Sequence, residues 1–150
     1  MEYIEAPNEY TGKKDCIFLA GGISGCPDWQ HELKELLKDE DIVLFNPRRD
    51  HFPKSLKGEE KQIAWEYKYL KKAKAISFWF PKETLCPITL FELGSHLTSN
   101  QEVFIGVHPD FARKIDVEMQ TKLANPKIKI VYDIEALAKQ IKDWLKSIQN

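Results

Sequence analysis

Along the chain, short apolar runs alternate with longer stretches in which apolar residues recur every three or four positions. The runs are Cys16–Ala20, Ile42–Phe45, Ala75–Phe80, Val103–Val107 and Ile128–Tyr132. Most are apolar at nearly every position, as strands covered on both faces must be; a strand with one wet face would alternate. Between them, Trp29, Leu33, Leu36 and Leu37 follow i, i+4, i+7, i+8, and Ile63, Tyr67 and Leu70 repeat the rule. Ile115, Met119 and Leu123 are four apart, as are Leu137, Ile141 and Leu145. Each set makes one stripe on a helix that turns about 100° per residue. Strands alternating with helices predict an α/β fold: a single flavodoxin-like, doubly wound, five-stranded parallel sheet with helices on both faces. Right-handed crossovers give it the order 2-1-3-4-5. Residues 1–14 read as a loose N-terminal leader, 15–150 as one domain, and 48–60 as a long polar connection.

Sheets of this kind bind ligands outside the carboxyl ends of their strands, near the switch in strand order. The segments to inspect are therefore Gly21 to Gly25, Asn46 to Asp50, Pro81 to Glu92, His108 to Asp110, and Asp133.

Composition narrows the chemistry. The 150 residues are 43% hydrophobic and 30% charged, with a formal charge of −1. A near-balance of charge argues against electrostatic binding of a nucleic-acid polymer. The three cysteines, Cys16, Cys26 and Cys86, form no CxxC pair and no His/Cys cluster, so neither a disulfide framework nor a metal site is expected. The N-terminus is polar and acidic, unlike a signal peptide, and no apolar run is long enough to span a bilayer, so the expected location is cytoplasmic.

Two carboxylates stand out. Glu92 follows Pro87, which suits the first turn of a helix. A carboxylate early in a helix gains from the dipole and stays ionised, as a nucleophile must; it can equally be a first-turn glutamate that only complements the dipole. Glu66 falls on a stripe with Ile63, Tyr67, Leu70 and Ala73, while Trp65 points away. A carboxyl on an apolar face has a raised pKa, which suits a general acid, unless it reaches solvent or pairs with Lys68 or Lys71.

The other candidates bind rather than react. Gly21, Gly22 and Ser24 lie in a glycine loop between a strand and a helix, where backbone N–H groups can approach a sugar or phosphate; a plain tight turn fits as well. Asp28 can cap the helix that follows. Asn46, Arg48 and Arg49 follow the second strand, and arginine suits bidentate contact with phosphate, carboxylate or a base edge, although a solvated loop pair is the alternative. Trp79 and Phe80 end the third strand, where they can stack a base or pack in the core. His108 is a lone acid or base candidate.

Taken together, these segments resemble the nucleoside 2-deoxyribosyltransferase family, especially its more divergent branch. The matching pieces are Ile17 to Ile23, Asp28-Trp29-Gln30, Asn46 to Arg49, Gln62 to Glu66, Ala73 to Phe80, Pro87 to Gly94, and Val107-His108-Pro109. The resemblance implies a nucleophile at Glu92, in a Phe-Glu-x-Gly context, and an acid that protonates the base at Glu66, where many members have Asp. Better-known members hold the sugar with an Asp six residues before the nucleophile; here that position is Cys86. Their C-terminal Asn, lent by a neighbouring subunit, is not among the matching segments. The implied activity is cleavage of the N-glycosidic bond of 2′-deoxynucleosides through a covalent glutamyl-deoxyribosyl intermediate, with transfer to a second base. Two alternatives stand beside it: a hydrolase acting on nucleosides or their 5′-monophosphates, and a nucleotide-binding module without turnover. The implied partners are a nucleoside or nucleotide, a free nucleobase, and further copies of the chain in a homo-oligomer. No cofactor and no metal is implied.

Overall fold

The computed structural model describes residues 1–149. Its strands are β1 (Glu2–Glu5), β2 (Cys16–Gly21), β3 (Val43–Asn46), β4 (Ala75–Phe80), β5 (Glu102–Val107) and β6 (Ile130–Val131). Its helices are α1 (Trp29–Leu36), α2 (Leu56–Lys72), α3 (Pro87–His96), α4 (Lys114–Ala124) and α5 (Ile134–Gln149). All strand pairs are parallel, in the order β1-β3-β2-β4-β5-β6. Without β1 this is the expected 2-1-3-4-5 order.

The near-continuous apolar runs are explained by two layers of cover. Ile17, Leu19, Leu44 and Phe104 face α1 and α5, burying Trp29, Leu33, Leu137 and Ile141. Phe18, Phe45, Phe78 and Phe80 face α2, α3 and α4, burying Trp65, Tyr69, Leu93 and Val117. Because strand side chains alternate between faces, each layer draws on every second residue of the same strand. Among the described residues no helix is long and apolar enough to cross a membrane.

Three expectations are corrected. Residues 2–5 are not part of a loose leader: Glu2 to Glu5 pair with Val43 to Asn46 and extend the sheet by one strand. Ala6 and Tyr10 are buried, and the Tyr10 N–H donates to the Tyr69 hydroxyl at 2.7 Å. Four residues with charged ends carry too short a pattern to rise above a polar terminus.

The stripe of α2 is rotated from the expected one. Ile63 and Tyr67 are 64% and 66% exposed, whereas Trp65 is 5% exposed and Gln62, Tyr69 and Leu70 are buried. Both stripes obey helical spacing. The buried one wins because Trp65 and Tyr69 pack with tilted rings against each other and against Phe18 and Phe45, aromatic contacts that Ile63 cannot replace. On α4 likewise, Ile115, Met119 and Leu123 face outward, while Val117 and Thr121 are buried.

Candidate active site

The glycine loop after β2, the segment between β4 and α3, and the facing sides of α2 and α3 enclose a cleft of about 250 Å³. It lies at the carboxyl end of the sheet, at the switch in strand order. Gly21, Gly22, Ser24, Cys86, Glu66 and Glu92 all line it, together with Ile23, Pro47, Thr84 and Thr89. The glycines are required by packing. A Cβ on Gly21 would come within 2.5 Å of the Trp29 ring and the Trp79 carbonyl, and one on Gly22 within 2.6 Å of Pro81. Asp28 caps α1, accepting the His31 N–H at 3.1 Å.

Glu66 is half-buried on α2. Its Oε1 accepts a hydrogen bond from Gln62 Nε2 at 2.8 Å, one turn earlier on the helix. Lys68 does not pair with it, being engaged by Glu9, and the Lys71 ammonium lies over the Tyr67 ring. Burial therefore raises the Glu66 carboxyl above its ordinary range, and the Gln62 hydrogen bond only partly offsets this. The raised pKa expected of Glu66 is present, but its cause is the cleft and not an apolar stripe.

Glu92 differs from expectation more sharply. Pro87 opens α3, so Glu92 sits in the second turn, beyond the reach of the dipole's first-turn stabilisation. Burial, reinforced by the facing Glu66 carboxylate, pushes its carboxyl up to about 8. It is not held ionised on its own. Two interacting carboxyls titrate as a pair, so between the two steps the pair holds one proton and one negative charge. That singly protonated state contains one potential nucleophile and one potential acid.

Cys86 immediately precedes α3 in the left-handed region, at φ 49°, an uncommon conformation for a residue with a Cβ. Its thiol is buried, its Sγ–H donates to the Thr84 carbonyl at 3.6 Å, and burial raises it to about 12, so it is a neutral group at the cleft wall.

The remaining candidates lie elsewhere. Arg48 donates from Nη1 to the Pro27 carbonyl at 3.0 Å and to Gln30 Oε1 at 3.1 Å, and from Nη2 to the Cys26 carbonyl at 3.0 Å. It staples the entry of α1 to the β3–α2 loop. Asn46 is buried, donating to the Tyr3 hydroxyl and accepting the Arg48 N–H. With Arg49 these residues line a separate polar recess of about 310 Å³ beside β1. Trp79 packs beneath α1 and α5, and Phe80 against Phe78 and Phe111. Both are core residues, not base-stacking platforms: the face that each presents is already covered by a helix layer. His108 is half-buried, its Nδ1 accepts the Asp110 N–H at 3.1 Å, and it does not line the cleft. Among the described residues no group of three or more His, Cys, Asp or Glu is placed to hold a metal ion.

One site residue escaped sequence reasoning. Gln62, 7% exposed, bonds Glu66, Pro47 and Arg49. The available signal was its i, i+4 spacing to a carboxylate, masked by the more apolar Ile63 beside it.

The family model for nucleoside 2-deoxyribosyltransferase-like proteins matches residues 14–111, which include both cleft glutamates, the glycine loop and the arginine segment. The chain belongs to this family. A search of curated protein sequences gave no match. The matched span runs from β2 past β5 and leaves α4, β6 and α5 outside it.

Proposed function

We propose that the protein is an N-glycosyl transferase that moves a 2′-deoxyribosyl group between nucleobases, with Glu92 as nucleophile and Glu66 as acid. One observation carries this reading: two carboxyls face each other in one cleft at the switch of the sheet, both raised by burial, with no cation paired to either among the described residues. Structural carboxylates are normally paired with a cation or solvated, so this arrangement is costly unless chemistry uses it.

The singly protonated pair carries the reaction. The Glu92 oxygen forms a bond to C1′ as the C1′–N bond breaks through an oxocarbenium-like transition state. The bond's electron pair leaves with the base, which takes the proton from Glu66. A second base then attacks C1′ of the Glu92 ester, returning its proton to Glu66 and freeing the Glu92 carboxylate. Positive charge developing at C1′ favours ionised Glu92, so substrate moves the shared proton toward Glu66. The balance needs no redox partner and no metal. The glycine loop, Thr84, Thr89 and Cys86 form the wall against which the sugar rests.

The decisive experiment incubates the protein with a deoxynucleoside and a different free base. A new nucleoside supports transfer. Free base with free sugar alone replaces it with hydrolysis, and binding without turnover replaces it with a nucleotide-binding module. We also assign the protein to nucleotide salvage in the cytoplasm, where its free cysteines Cys16, Cys26 and Cys86 stay reduced. Homo-oligomer formation, implied by the resemblance, has a surface to use in the outward Ile63 and Tyr67 of α2 and Ile88 and Phe91 of α3. Sedimentation at micromolar concentration checks it.

A further inference from the structure

Gln62 reaches three partners with one amide. Its Nε2 donates to Glu66 Oε1 at 2.8 Å and to the Pro47 carbonyl at 3.0 Å, and its Oε1 accepts from Arg49 Nη1 at 3.2 Å. The chemistry fixes the amide's orientation. Flipped, it would set its oxygen against a carbonyl and a carboxylate, and its NH2 group against a guanidinium. Arg49 is thus what holds the NH2 end toward Glu66, and its charge polarises the amide so that the donated bond strengthens.

We propose that Arg49 is a positioning residue that acts through Gln62, fixing Glu66 Oε1 as a hydrogen-bond acceptor so that the proton Glu66 delivers to substrate resides on Oε2. The inference rests on the functional reading above only for the word substrate; the relay itself is a property of three side chains. Gln62 favours the ionised form of Glu66, and its donation opposes the burial that raises the carboxyl. The relay therefore keeps Glu66 from retaining its proton too tightly to give it up. The titratable groups around Glu66 are Glu92 from α3 and the neutral thiol of Cys86 across the cleft, and Glu59 of α2 in the adjoining recess, with Arg49 behind Gln62 on the β3–α2 loop. Arg49 itself lines the recess beside β1, not the cleft, so it acts without touching the reacting atoms.

The test is a titration of glutamate side-chain carboxyl carbons by NMR in the whole protein, with the Glu66 signal identified by its loss in Glu66→Gln. Gln62→Met, which keeps length and removes every bond, should raise the Glu66 titration by about one pH unit. Arg49→Gln should raise it by less, Arg49→Lys should restore part of the shift, and Arg49→Gln added to Gln62→Met should do nothing more. An equal Arg49 effect in both backgrounds would replace the relay with a direct field. An unmoved Glu66 in Gln62→Met would overturn it altogether. Because this readout needs no turnover, failure of the proposed function and failure of the relay are separable. In an active protein, Gln62→Met should lower kcat far more than it raises KM and move the acid limb of the pH–rate profile upward.

Discussion

Two polar recesses lie side by side at the carboxyl end of the sheet, and they hold opposite charge in opposite states. In the recess beside β1, the Arg48 guanidinium donates to the Pro27 and Cys26 carbonyls and to Gln30 and pairs with the Asp28 carboxylate at 3.8 Å, and Asn46 bonds at both ends. In the cleft between α2 and α3, Glu66 has one amide donor and Glu92 faces Glu66 across the gap. A satisfied charge stabilises a fold and has little left to give a ligand; an unsatisfied one destabilises the fold and is free to react. The difference teaches that arginines at a ligand edge can be the clamp of a loop while glutamates near them are the groups left without a cation.

The strongest way to break this contrast is Glu92→Gln. It keeps the shape and removes the charge, so turnover should fall by roughly 10³-fold or more and no sugar adduct should form. The same change should stabilise the protein. A carboxyl whose folded pKa lies near 8 binds its proton in the native state while the unfolded chain, with its value of 4.5, has lost it. Stability therefore falls as pH rises from about 4.5 to about 8, and the penalty is complete above that window. Glu92→Gln should gain roughly 2 to 4 kcal/mol at pH 9 and almost nothing at pH 4. Chemical denaturation at the two pH values checks this, and equal gains at both would mean that Glu92 is not the strained group.

Next in size is Glu66→Gln. Natural bases need a proton to leave, so their rates should drop by about 10²- to 10⁴-fold, whereas a substrate with a good leaving group should lose far less. In the unaltered protein the basic limb of the pH–rate profile should lie near 8, where the last proton leaves the pair. A flat profile through pH 9 would show that turnover does not need the singly protonated pair.

How far these roles were legible in the sequence depends on what kind of information each needs. Strand runs such as Ala75–Phe80 announce themselves, because burial on both faces leaves little room for polar residues, and right-handed crossovers favour the order that the five strands adopt. The position of Glu92 in α3 and of Glu66 in α2 was readable, and the fold rule brought Glu92 to the switch point; that Glu66 joins it there was implied only by the family resemblance. Their ionisation was not. The dipole argument that favoured an ionised Glu92 is local, and what reverses it is burial in a cleft whose other walls, the glycine loop after β2 and the Glu66 carboxylate of α2, are far away in sequence. The same limit hid Gln62 and Arg48, whose roles are set by partners on other elements. On α2 the pattern itself misled, because Ile63 and Tyr67 are as regularly spaced as the buried Trp65 and Tyr69.

A smaller effect sharpens the other side of the contrast. Arg48→Ala should cost about 2 kcal/mol of stability, since it frees the carbonyls of Cys26 and Pro27 and unties α1 from the β3–α2 loop. Urea denaturation measures it. Kinetically, KM for a nucleoside and for its 5′-monophosphate should change alike. A selective loss for the monophosphate would mean that Arg48 exchanges its carbonyl partners for a phosphate, and the two recesses would then belong to one site.

The smallest change expected is Cys86→Ser, and its smallness is informative. Cys86 stands at the cleft wall beside both glutamates, at the position where better-known relatives place an aspartate for the sugar. With burial raising the thiol to about 12, it is neutral across the working range, and the bond it donates goes to the Thr84 carbonyl. A serine hydroxyl donates the same bond from nearly the same place, so rates should stay within about threefold. An aspartate there has a different consequence from the one that the relatives suggest. A third carboxylate in a cleft that already holds two would raise the whole set, and the basic limb should move upward even if the sugar is better held. Comparing Cys86→Ser and Cys86→Asp at pH 6 and pH 9 therefore separates sugar binding, which changes KM at both values, from electrostatics, which changes the ratio between them. Loss of activity in Cys86→Ser with Glu92→Gln still active would move the nucleophile from carboxylate to thiol, and the cost of two buried, uncompensated glutamates would then need another reason.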